Sequence, residues 1–238
     1  MSVTIGYTGR FGNNIFQYVN ARLFAEKWDL QLKTEFPHPE IIKFKKQIGS
    51  LDITYPTIYV TEDNLDYLLQ LDGGKHAHFD FNGFFQQSKR YMPYRNQIKS
   101  WLVKPYKTTN FKDIVIHLRA DDYGKAHRIH PDWFLNTLSK ETFDKIYIVS
   151  NPIDKDYYQY FANRHLDAIW ISDTVKHDFE FIASFNKIIC SNSTFCWWAA
   201  FLGNPERVYT FAKWLPNNPQ IDLTELPNGI VFDGDFWE

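Results

Sequence analysis

The chain has 238 residues, of which 44% are hydrophobic, 23% charged and 18% aromatic, and it carries a formal charge of −2 at neutral pH. That composition describes one large or two modest folded domains and excludes a disordered chain. Twenty-six basic against 28 acidic residues give no general attraction to nucleic acid or to an anionic membrane.

The opening MSVTIGY has a strand pattern, without the basic flank and apolar stretch of a secretion signal, so a cytoplasmic location is expected. No apolar run approaches the roughly 18–20 residues that span a bilayer. A strand is expected over 3–7. A loop carrying Gly9 and Gly12 follows, then a helix over 15–28 with Phe16, Val19, Leu23 and Phe24 on one face. A second strand at 30–34 completes a β-α-β start, which implies a parallel sheet. Further on, the pattern gives a strand at 57–61, a helix at 63–70, a Gly73-Gly74 turn, an extended stretch at 78–85 and a helix at 94–102. The polar, proline-broken stretch 104–112 reads as a domain boundary.

Beyond it, strands and helices alternate. Strands are expected at 113–118, 145–150, 168–171, 188–190 and 207–211, with helices at 131–139, 154–163, 178–185 and 195–202. Such alternation indicates doubly wound α/β architecture, here as two α/β domains with a ligand between them.

Three segments carry chemistry. The run Cys190-Ser191-Asn192-Ser193-Thr194-Phe195-Cys196-Trp197-Trp198 leaves a strand through a polar loop and enters an aromatic helix. Hydroxyls and backbone N–H groups at a helix N-terminus favour an anion such as phosphate. The same residues also read as an ordinary turn with two tryptophans in the core. In Ile116-His117-Leu118-Arg119, His117 and Arg119 share a strand face by the period of two and emerge at its carboxyl end, where open sheets bind ligands. Arg119 offers a rigid fork of donors for phosphate oxygens; alternatively it pairs with Asp121 or Asp122. Asp178 reads either as a ribose or base contact or as a helix cap.

The first glycine loop matches neither the dinucleotide GxGxxG pattern nor a P-loop. It leaves a backbone turn with Arg10, Asn13 and Asn14 within reach of a ligand, or simply a tight turn with a cap. His76, His78, His127 and His130 read as surface residues. Cys190 and Cys196, on different expected elements, read as free thiols of a reducing compartment. The histidines and cysteines show no metal-ligand spacing, so no metal is expected.

Four of these segments, in chain order, resemble one family: the GDP-fucose-dependent fucosyltransferases, closest to the α-1,2 type of bacteria and viruses. GRFGNNIFQYVNARLFA at 9–25 is similar to the family's G-x-L/F-G-N-Q-x-F-Q-Y, and NGFFQQSKRY at 82–91 to its G-Y-F-Q-S-x-K-Y. HLRADDY at 117–123 is similar to H-x-R-R-G-D-Y, and 178–198 to the segment ending N-S-S-F-S-W-W.

The resemblance implies a compact GT-B-like fold of two Rossmann-like domains with parallel sheets. Residues 1–108 would form the acceptor-side domain and 109–238 the GDP-sugar-binding domain. The implied reaction is an inverting, metal-independent transfer of L-fucose from GDP-β-L-fucose to a glycan hydroxyl, α-1,2 to galactose or a related sugar. GDP-fucose would serve as donor substrate, with no separate cofactor. The partners would be a GDP-sugar and a glycan acceptor, without nucleic acid, and a membrane-bound glycan would be met only peripherally.

Carried over by position, Arg119 would grip the β-phosphate and His117 would face guanine or its ribose. Asp178 would bind base or ribose, and Ser193, Thr194 and Phe195 would bind the diphosphate. Arg10, Asn13 and Asn14 would line the sugar and acceptor side, with Arg119, Arg10 and Asn13 as the catalytic set. Glu35, Asp80, Asp121 and Asp122 stand as alternatives for the base. The chain departs from the family at Ala120 and Asp121, where an arginine and a glycine are usual, and at Asn14, where glutamine is usual.

Overall fold

The computed structural model describes residues 1–45, 55–71, 77–119, 127–215 and 221–233. The expected Gly73-Gly74 turn, His76, Ala120, Asp121 and Asp122 lie outside them. The chain forms two compact units, residues 1–86 with 101–103, and residues 87–100 with 104–238. Both are Rossmann-type α/β units with parallel sheets, the makeup of the GT-B-like class.

In the first unit, β1 (Ser2–Ile5), β2 (Gln31–Leu32), β3 (Thr57–Val60) and β4 (His78–Phe81) form a parallel sheet in the order β2-β1-β4-β3. Helix α1 (Phe11–Lys27) crosses from β1 to β2, and α2 (Glu62–Gln70) from β3 to β4. The expected one-sided amphipathic helix is instead buried nearly all round, in 13 of its 17 residues. The loop after β2 and the segment at 101–103 explain this, because Tyr18 packs on Phe36 and Phe44, and the Arg22 guanidinium lies 4.3 Å over the Trp101 ring. The buried Arg22 charge is balanced by Glu26 at 2.9 Å and by the Lys45 carbonyl.

The second unit holds six parallel strands in the order β10-β9-β8-β5-β6-β7. They are β5 (Asn110–His117), β6 (Ile146–Val149), β7 (Ile169–Ile171), β8 (Phe185–Cys190), β9 (Arg207–Phe211) and β10 (Gly229–Phe232). From β5 the chain winds outward through β6 and β7, then returns to the other side of β5 for β8, β9 and β10. This is the 3-2-1-4-5-6 order of a doubly wound sheet, and its switch point falls between β5 and β8. The sequence pattern does not give β10, whose first three residues are exposed.

Four helices connect these strands: α4 (Pro131–Leu138), α5 (Lys155–Ala162), α6 (Val175–Ala183) and α7 (Thr194–Leu202). Eight of the nine residues of α7 are buried, so its sequence TFCWWAAFL reads as a core helix with no polar face. Trp197 and Trp198 are fully buried, at ring distances of 4.9 and 5.1 Å from Phe201. The tryptophan pair is therefore core.

Residues 87–100 include α3 (Arg95–Ser100) and belong with the second unit. Tyr91 packs edge-on against both tryptophans. Arg95 donates to the carbonyls of Phe201 and Gly203, and Lys99 to that of Gly203, which places two cations at the C-terminal end of α7. Burial, with Arg95 adding, lowers the Lys99 ammonium to about 8.

The cysteines are not free thiols. Cys190 ends β8 and Cys196 sits in the first turn of α7, and the short loop between them brings their Cα atoms to 5.8 Å, where the two form a disulfide. Reading the two as lying on different elements was right, but a strand and helix joined by so tight a loop remain within bridging distance.

Candidate functional site

The carboxyl ends of the second unit's strands gather most of the expected site residues. His117 is the last residue of β5 and pairs in register with Cys190 of β8, so it stands at the switch point. It is buried, and its Nδ1 lies 3.0 Å from the Ser191 hydroxyl, while the Ser191 N–H donates to the His117 carbonyl. Arg119 follows two residues later, just past the strand and half-buried.

Ser193 is the residue before α7, and its side chain makes no capping bond to the helix. Ser193 and Thr194 thus stand at a helix N-terminus whose own first turn carries no acid. Asn192 holds the loop from below by donating to the carbonyls of His127 and Trp214. Phe195 lies 5.5 Å from the His117 ring and 5.3 Å from Phe179 of α6. These contacts bring His117, Ser191, Ser193, Thr194 and Phe195 into one cluster, with Asp178 beside Phe179.

Asp178 is not a helix cap. Thr174 caps α6 by accepting from the His177 N–H, and Asp178 lies inside the first turn. Its buried carboxylate accepts from the Asp173 N–H at 3.2 Å, with the Asn151 amide at 3.5 Å and His177 Nδ1 at 3.9 Å. Burial outweighs these partners and pushes the carboxyl above its ordinary range. A further N–H or O–H donor from a ligand would therefore find an acceptor that the protein leaves only partly compensated.

The first unit presents a different kind of surface at the carboxyl ends of its strands. The Gly9 backbone turns with φ +76°, and a Cβ there would meet the Asn13 amide nitrogen at 2.3 Å. Asn13 Oδ1 accepts from Gln86 Nε2 at 2.9 Å. Asn14 is placed beneath the loop, buried and donating to Thr8 O and Gln17 Oε1, both at 3.0 Å. Its Oδ1 lies 2.9 Å from His38 Nε2. Gln17 also accepts from the Thr8 N–H and donates to the Gly83 carbonyl. Glu62 opens α2 and accepts from the N–H groups of Phe84 and Phe85, fixing a turn in which buried Phe85 takes a φ of +56°.

Arg10 lies at the start of α1 and is exposed. Of the carboxylates proposed as a base, Asp80 accepts from Thr4 Oγ1 across the sheet, and Glu35 is exposed on the loop after β2.

Sequence reasoning missed Glu62 and His38, and it gave no role of their own to Ser191, Gln17 and Gln86, which lie in the segments it singled out. For Gln17 the signal was present: Asn14 and Gln17 sit at helical spacing, three residues apart, near the start of α1. His38 sits between two prolines, and nothing local gives its partner. Among the described residues, no group of three or more His, Cys, Asp or Glu side chains could hold a metal ion. No helix among them is long and apolar enough to cross a membrane.

No family model matches the chain, and no curated protein matches it. Among solved structures, it is similar to a mutant of Arabidopsis thaliana FUT1 in complex with GDP. The identity is 12%, the match covers 87% of this chain and 69% of that chain, and the TM-score is 0.49.

Proposed function

We propose that the protein is a glycosyltransferase that binds a GDP-sugar on its second unit and transfers L-fucose to a glycan hydroxyl with inversion, without needing a metal. The carrying observation is the switch-point cluster, where the His117–Ser191 pair stands beside a helix whose first turn holds no acid and whose cap residue makes no side-chain capping bond. A nucleoside diphosphate leaving group fits such a site because negative charge develops on its β-phosphate oxygens as the sugar departs. Arg119, the hydroxyls of Ser193 and Thr194 and the N-terminal dipole of α7 supply positive charge and donors there, and one well-placed donor contributes about 3 kcal/mol to the transition state.

Asp178 is the acceptor for a ribose hydroxyl or a base N–H, and Phe195 the adjoining apolar wall. Attack from the face opposite the leaving diphosphate gives inversion. The sugar is assigned as fucose, α-1,2-linked, on the four-segment resemblance. Ala120 stands where that family carries a second arginine, and this favours, as a second reading, a transferase of another GDP-sugar.

The test is thermal unfolding with GDP, GDP-fucose, GDP-mannose and UDP-glucose at about 1 mM in EDTA, since a ligand that binds the native state raises its melting point by mass action. GDP and GDP-fucose are expected to raise it by several degrees and UDP-glucose not to, with GDP released once an acceptor sugar is added. Stabilisation without release indicates a nucleotide-binding module, and no response to guanine nucleotides rejects the reading.

A further inference from the structure

The Cys190–Cys196 disulfide encloses the loop on which the candidate site is built. Cys190 ends β8 and pairs in register with His117 of β5, and Cys196 lies in the first turn of α7. Between them run Ser191, Asn192, Ser193, Thr194 and Phe195. These include the hydroxyl that meets His117, the two residues at the N-terminus of α7 and the ring beside the imidazole. By joining the strand end to the helix start, the bond sets the spacing of all these groups.

The near half of the loop has further anchors. The Ser191 N–H donates to the His117 carbonyl, and Asn192 donates to the carbonyls of His127 and Trp214. In the far half, the Ser193 N–H donates to the Ser191 carbonyl at 2.7 Å, and the Trp197 N–H donates to the Ser193 carbonyl at 3.0 Å. The disulfide ties this half to β8 covalently. Closing a ring removes backbone freedom from the segment inside it. Donors already fixed at their spacing then lose less freedom when they bind an anion.

We propose that this disulfide regulates the nucleotide site: the oxidised protein holds Ser193, Thr194 and the start of α7 ready for a diphosphate, and the reduced protein binds it more weakly. The inference rests on the nucleotide half of the transferase reading above, and every residue it uses belongs to the second unit. The reductant is a dithiol. One of its thiolates attacks a half-cystine sulfur and displaces the other as a thiolate, which takes a proton, leaving a mixed disulfide. The second thiol of the reductant resolves that intermediate. Two electrons pass to the protein, two cysteine thiols form, and the reductant leaves as its own disulfide.

Both cysteines are fully buried, so attack requires the loop to open. A bound diphosphate that holds the loop shut opposes that opening. Oxidation and nucleotide binding therefore favour each other, and by linkage each shifts the other by the same factor.

The test is calorimetric titration of GDP into the oxidised protein and into protein reduced with dithiothreitol, with thiols counted after denaturation and the fold followed by circular dichroism. The Kd for GDP is expected to rise about 5- to 150-fold on reduction, the range of such couplings, while two thiols appear and the folded signal stays. A double variant carrying Cys190→Ala and Cys196→Ala is expected to bind GDP as the reduced protein does, with or without dithiothreitol. Saturating GDP is expected to slow reduction of the wild type. Equal affinity in the two states, loss of the folded signal on reduction, or a disulfide that dithiothreitol does not open in the nucleotide-free protein overturns the regulation and leaves the transferase reading standing. If the oxidised protein binds no GDP, the transferase reading fails and the regulation fails with it.

Discussion

The two sheets present unlike carboxyl edges. At the first, polar side chains bond chiefly to one another: Asn14 to Gln17, Thr8 and His38, Asn13 to Gln86, and Glu62 to two backbone N–H groups. These bonds hold loops in shape, including two residues at positive φ, Gly9 and Phe85. At the second, Asp178 is a buried carboxyl that burial keeps raised, and α7 has cations at its C-terminal end and no acid at its start. One edge stores geometry and the other stores charge. On the proposed function, the second edge is the one suited to a departing diphosphate, and the acceptor is left to the first.

The sharpest way to break this comparison is Arg119→Ala. If the second edge supplies charge to a departing diphosphate, kcat is expected to fall about 100- to 1,000-fold with the fold retained. Transfer within tenfold of wild type, measured as GDP release at saturating donor, removes Arg119 from the mechanism.

Asp178→Asn gives a smaller effect with a diagnostic sign. The folded protein raises this carboxyl, so it binds a proton more readily folded than unfolded. Its stabilising contribution is therefore present at low pH and is lost as pH rises from the unfolded value through the raised folded one, leaving a cost at neutral pH. Replacing the carboxylate by an amide removes that cost. The variant is expected to be at least as stable at pH 7 by denaturant unfolding, yet to bind GDP about 10- to 100-fold more weakly, the worth of a bond to a charged acceptor. Weaker binding together with lower stability would mean that Asp178 serves the fold rather than the ligand.

Much of this architecture was legible in the sequence, because a doubly wound sheet alternates period-two and helical stretches with turn residues between them. The strand at 207–211 and the helix at 131–138 were readable nearly to the residue. What failed did so for nameable reasons. Strand β10 is a solvent-facing edge without a buried alternation, and α1 loses its one-sided pattern because aromatic residues from the loop after β2 cover its outer face. The disulfide depends on how tightly the chain turns after Cys190. The charge-bearing edge could be nominated from His117, Arg119, Asp178 and the serine loop, since those residues announce their chemistry. At the shape-bearing edge the loop residues Asn13 and Asn14 could be nominated but not their partners, because Gln86 meets Asn13, and His38 meets Asn14, only once the sheet has formed.

The smallest expected effect tests the first edge directly. Gly9 and Gly6 both lie in the loop after β1, but only Gly9 has a positive φ, and only there would a Cβ strike Asn13. At Gly6 the nearest atom to an added Cβ is the Phe81 carbonyl oxygen at 3.8 Å, an ordinary contact. Gly9→Ala is thus expected to cost about 1–2 kcal/mol, the penalty of a left-handed backbone with a side chain, and to loosen the Asn13–Gln86 bond. Gly6→Ala should leave stability within about 0.5 kcal/mol of wild type. Because the strain lies on the first edge, GDP affinity should be unchanged in both, while the acceptor KM should rise in Gly9→Ala alone. Loss of GDP affinity in Gly9→Ala would show that the geometry held at the first edge is also needed to bind the nucleotide, and the division between shape and charge would have to be given up.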